Sequence, residues 1–115
     1  MRDEPPFLVE GDGHLDIKVV ARHGEMSREL RSYAEEKMTK LERYFEGIHW
    51  VTVTLDDQPE AKVKKAEVVM GAVRGATLVA ESEDHDLHAA IDSVVDKAEH
   101  QLTKFKEKLK GRRSQ

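Results

Sequence analysis

The segment Leu87–Leu109 constrains the fold most. Leu87, Ile91, Val94, Val95, Ala98, Leu102, Phe105 and Leu109 fall on one side of a helical wheel, within an arc of roughly 100°. A helix with one apolar stripe must bury it against a partner layer. The rest of the chain offers a sheet. Leu15, Ile17 and Val19 alternate with Asp16, Lys18 and Val20, the two-residue period of a half-buried strand. The same alternation places Val51, Val53 and Leu55 on one side of IHWVTVTLDD, and Ala66, Val68 and Met70 on one side of VKKAEVVMGA. Leu78 and Ala80 point inward from TLVAES.

A second helix is predicted earlier, over SRELRSYAEEKMTKLERYFEG. Ser27 can cap it, Glu29 suits its first turn, and Gly47 suits a left-handed residue just past its end. Leu30, Ala34, Met38, Leu41 and Phe45 form its apolar arc. For the long helix, Asp86 is the expected N-cap and Gly111 the expected stop. Gly75 in VRGA suits a tight turn between the last two strands, and QPEAK reads as a connection. The order is β-α-β-β-β-α. A strand–helix–strand crossover makes the first two strands parallel, and short turns make the later pairs antiparallel. The expected fold is α+β, a two-layer sandwich of a four-stranded sheet with both helices on one face. With 115 residues the chain suffices for one domain. That domain is expected over residues 15–113, after an acidic Pro- and Gly-containing leader at 1–14.

Charge is the clue to function. The chain carries formal net charge -4, yet residues 101–115 hold six cations and one anion. Residues 1–26 hold three cations and six anions, and residues 27–100 hold ten and sixteen. A basic end on an acidic body can orient a partner. On the long helix, Lys97, Lys104 and Lys108 line one flank of the apolar stripe, and Lys106 and Lys110 the other. Asp92, Asp96 and Glu99 are expected on its outer face. On the first helix, Tyr33, Lys37, Lys40 and Tyr44 form one stripe, with Lys37 at the edge of the apolar arc. Side by side, two such flanks would make a basic groove for a phosphate backbone, with tyrosines available for stacking on bases. An ordinary solvated surface is the other reading, since lysines near a helix C-terminus are favoured by its dipole.

Other chemistry finds little support. There is no cysteine, hence no disulfide and no thiolate site. No apolar run approaches the ~20 residues of a membrane helix, and the N-terminus does not read as a signal peptide. The expected setting is the cytoplasm. EDHDLH gathers Glu83, Asp84, His85, Asp86 and His88, but acids are expected at a helix start and no other segment completes a ligand set, so no metal is expected. MGAVRGA joins two strands and opens no helix, so it is not a phosphate loop. Trp50 is expected to cap the outer face of the sheet. No enzyme activity, cofactor or small-molecule substrate is indicated.

LRSYAEEKMTKLERYF, Leu30 to Phe45, resembles the first helix of the bacterial ribosome hibernation promoting factors. It matches their pattern at Leu30, Arg31, Tyr33, Glu35, Glu36, Lys37, Lys40, Leu41, Glu42, Arg43 and Phe45. KAEVVM resembles the family's third strand, and DLHAAIDSVVDKAEHQLTKFKEKLK its second helix; His88 stands where the family usually has tyrosine. The resemblance spans about residues 15–113 and fits the short form, also labelled protein Y or sigma-54 modulation protein. It implies a ribosome-associated translation inhibitor that enters the decoding channel of the small subunit, contacts ribosomal RNA and sterically excludes messenger and transfer RNA. A second hibernation factor is a possible partner. On this reading the RNA-binding residues are Tyr33, Lys37, Lys40, Arg43, Tyr44, Lys97, Lys104, Lys106, Lys108, Lys110, Arg112 and Arg113. The alternative from the element order is a freestanding double-stranded RNA-binding module, which typically reads RNA from a helix N-terminus and a basic loop.

Overall fold

The structure, a computed structural model, describes residues 15–113, with side chains to Gly111. The acidic leader and the side chains of Arg112 and Arg113 lie outside the described residues. The elements run β1 (Asp16–Arg22), α1 (Arg28–Thr39), β2 (Ile48–Asp56), β3 (Lys64–Ala72), β4 (Ala76–Asp84) and α2 (Leu87–Arg113). The sheet order is β1-β2-β3-β4. β1 pairs parallel with β2, and both β2–β3 and β3–β4 are antiparallel. This is the expected α+β sandwich.

Period two decides which face is buried. Val19, Val53, Val68 and Ala80 lie across the sheet in register and are all buried. They meet Leu30, Ala34 and Met38 of α1 and Ile91, Val94, Ala98 and Leu102 of α2 in one core. Burial of one such aliphatic side chain contributes about 1.5–3 kcal/mol. Among the described residues the other face carries no helix, and Val20, Trp50 and Val79 are exposed there. Trp50 lies over Gly71, its cross-strand partner, where a Cβ would overlap the indole. Trp50 therefore caps the outer face, as expected.

The caps follow the sequence. Ser27 Oγ accepts from the Leu30 amide at 3.1 Å, and Asp86 Oδ2 from the Ala89 amide at 3.1 Å. Arg74 (φ 64°) and Gly75 (φ 70°) give the three-residue β3–β4 connection, Val73–Gly75, two successive positive φ values, a sense of turn that matches the twist of hairpin strands.

Three expectations at helix ends fail. α1 stops at Thr39 and tightens into a 3-10 turn at Lys40–Arg43. Thr39 Oγ1 donates back to the Glu35 carbonyl at 2.8 Å, a bond that competes with regular helix geometry. Gly47 is not left-handed; glycine fits there because a Cβ would overlap the Phe45 ring. Gly111 does not stop α2, which continues to Arg113. A glycine in an exposed last turn costs a helix only about 1 kcal/mol relative to alanine. At about 1.5 Å per residue, the 27 residues of α2 make a rod whose last turns carry only the half-buried Phe105 and Leu109 inward.

Candidate nucleic-acid interface

Between the helices, four side chains form a connected cluster. Tyr33 on α1 donates its hydroxyl hydrogen to Asp92 Oδ1 on α2 at 2.5 Å. Lys37, one turn along α1, places Nζ 3.6 Å from the same oxygen and 5.4 Å from the centre of the Tyr33 ring. The His88 ring stacks obliquely on Tyr33, 4.8 Å between centroids. The hydrogen bond to Asp92, then partial desolvation, raises the Tyr33 phenol above its ordinary range. The Tyr33 oxygen and then the Asp92 carboxylate raise the Lys37 ammonium. Tyr33 and Lys37 are thus neighbours, as the stripe predicts. Asp92 is not on the outer face of α2; it faces α1. A helical wheel gives an angle from the apolar stripe but not the direction in which the next helix lies.

The cations of α2 do not form one groove with that stripe. Lys97 donates to the Glu81 carbonyl at 2.9 Å, and Gln101 to the Val79 carbonyl, both on β4. Lys104 and Lys108 border a hollow lined by Leu78, Gln101 and Phe105. The flank of Lys97, Lys104 and Lys108 therefore turns toward the β4 edge, away from α1, because α2 lies over β3 and β4 with α1 on its other side. On the α1 side lies Lys106. It shares a hollow with Arg43, Tyr44, Phe45 and Glu46, where Phe45 meets Phe105 edge-on at 5.6 Å between centroids. Lys40 and Lys110 are exposed, and Arg112 and Arg113 extend the backbone of α2. The result is two cationic surfaces, one on each side of the α2 end. Tyr44 is 41% exposed beside one of them. The helix C-terminus has carbonyls that favour this cation cluster, and the cluster in turn suits a polyanion.

Asp84, His85 and Asp86 of EDHDLH serve structure. Asp84 Oδ1 accepts from the Asp86 amide at 3.2 Å, Asp86 caps α2, and His85 Nδ1 lies 3.2 Å from the Lys62 carbonyl. Among the described residues no group of three or more His, Asp or Glu is arranged to hold a metal ion. No described helix is long and apolar enough to cross a membrane.

Fold and surface together define a small α+β domain built to present a cationic helix end. The family described as "Sigma 54 modulation protein / S30EA ribosomal protein" matches residues 17–110, and the chain belongs to it. It is not a family of enzymes. The chain is similar to the ribosome hibernation promoting factors of Salmonella typhimurium LT2 and Escherichia coli K12. Each is 36% identical over 99 residues, covering 84% of this chain and 98% of the relative. The Protein Y N-terminal domain of Thermus thermophilus superposes with a TM-score of 0.68 at 35% identity, over 78% of this chain and 98% of that one. A ribosomal subunit interface protein from Coxiella burnetii has the same fold, with a TM-score of 0.69 at 23% identity over 80% and 98%.

Proposed function

We propose that this protein is a ribosome hibernation factor. It binds the small ribosomal subunit through ribosomal RNA, lies in the decoding channel and excludes messenger and transfer RNA, silencing idle ribosomes. The observation that carries this reading is 36% identity over 98% of relatives named for hibernation, on a domain with cations at one helix end. Lys104, Lys106 and Lys108 neutralise phosphates on both sides of that end, and Arg43 and Tyr44 add a charge and a stacking ring. Lys37 and Lys97 bind in competition with Asp92 and the Glu81 carbonyl. The freestanding double-stranded RNA module fits less well, because β1 is an integral strand paired with β2 over seven positions.

Sedimentation of the purified chain with free small subunits tests the proposal, with no second protein added. Co-migration that is lost when transfer and messenger RNA are prebound is the expected result. Binding indifferent to prebound transfer RNA overturns the occlusion mechanism. Co-migration only after addition of another protein would identify a required partner factor.

A further inference from the structure

We propose that the Asp92 carboxylate is an internal stand-in for a phosphate in the cleft between α1 and α2. It holds Tyr33 and Lys37 aimed at one point, and an incoming RNA phosphate takes its place. This rests on the RNA-binding reading above. A single atom, Asp92 Oδ1, is approached by both the Tyr33 hydroxyl and the Lys37 ammonium. A phosphate oxygen offers the same two groups an equivalent charged acceptor. Both donors are already ordered, Lys37 over the Tyr33 ring and Tyr33 against His88. The Asp92 side chain is 52% exposed, so it can turn to water when a phosphate arrives. Until then it repels any phosphate that approaches Lys37.

Two effects oppose each other, since order in the donors helps binding and the resident anion hinders it. An exposed ion pair is worth about two- to fivefold in an equilibrium constant. Neutralising Asp92 without removing its oxygen gains about that factor, because the amide oxygen introduced by Asp92→Asn still accepts from Tyr33. Asp92→Asn is thus expected to bind purified small ribosomal subunits about two- to fivefold tighter at fixed salt. Its affinity should also fall more steeply with salt, by about one counterion. Lys37→Gln should lose more affinity in the Asp92→Asn background than in the parent. Tyr33→Phe separates charge from loosened packing: it keeps the anion, loses a donor and binds no tighter. Equal or weaker binding by Asp92→Asn, with matched melting temperatures, overturns the proposal, as does tighter binding by Tyr33→Phe. Should Asp92→Asn melt early, the Lys37→Gln loss measured in an Asp92→Ser background decides in the same way. If the parent protein does not bind small subunits at all, the RNA-binding reading falls and this one with it. If the parent binds and Asp92→Asn does not differ from it, only this one falls.

Discussion

Tyr33 illustrates how much one residue's chemistry depends on a partner far away in sequence. Its hydroxyl is held by Asp92, 59 residues along the chain, and this bond is the largest cause of its raised phenol pKa. The sign of the pH effect follows. A group whose folded pKa lies above its unfolded value contributes stability that is fully present below the unfolded pKa. That stability is lost as pH rises through the folded value. Tyr33 and Lys37 are both raised, and both have ordinary values near about 10. The parent protein is therefore expected to lose melting temperature above about pH 10 more steeply than Tyr33→Phe, in which the main cause of the Lys37 shift is also gone. Melting curves between about pH 8 and 11 check this; parallel profiles would contradict it. The spacing of Tyr33 and Lys37 was readable from the chain, but Asp92 as their common partner was not. Glycines show the same limit. Gly75 was legible as a positive-φ turn residue, whereas Gly47 and Gly71 make room for Phe45 and Trp50 rings, a requirement set by three-dimensional packing.

At the level of elements, α2 organises the fold from both of its flanks. Its stripe places Ile91, Val94 and Leu102 in the core, each fully buried. Ile91→Ala or Leu102→Ala is expected to cost about 2–5 kcal/mol through lost burial and the cavity left behind. Denaturant unfolding of each variant measures this; midpoints like the parent's would refute the helix–sheet packing. The β4-facing flank has a second role. Lys97 and Gln101 occupy the outward carbonyls of Glu81 and Val79. On the opposite edge, Arg31 donates to the Val19 carbonyl of β1 at 3.4 Å. Both edges thus have backbone acceptors covered by helix side chains, which discourages pairing with another chain's strand. Element order, strand pairing and the inward residues were legible because periods of two and 3.6 report directly on which side is buried. Helix ends and flank directions were not. The early tightening of α1 coincides with the Thr39 bond to Glu35, which no periodicity announces. The direction of the Lys97 flank depends on where α2 lies on the sheet, which periodicity does not encode.

The whole molecule has a charge polarity that decides the last prediction. The open sheet face is mixed and mildly acidic: Glu67 and Glu81 stand directly opposite each other there, with Lys65 3.7 Å from Glu81. The α2 end concentrates the cations. If overall charge governed binding, any two lysines would matter equally. If the α2 end is the contact, position decides. Lys104→Glu with Lys106→Glu reverses one cation on each side of that end. Lys18→Glu with Lys62→Glu reverses two exposed lysines away from it, with Lys18 in β1 and Lys62 in the β2–β3 connection. Each pair changes two charges from +1 to -1, taking the net charge from -4 to -8. All four side chains are exposed, so neither pair should shift melting temperature far. The α2-end pair is expected to weaken small-subunit binding by about tenfold or more at low salt and to flatten its salt dependence by about two counterions. The distal pair is expected to reduce affinity only slightly, through the longer-range field that salt screens over about 8 Å at physiological ionic strength. Binding isotherms for both pairs across a salt series make the comparison, and equal losses would show that net charge, not the helix end, drives association.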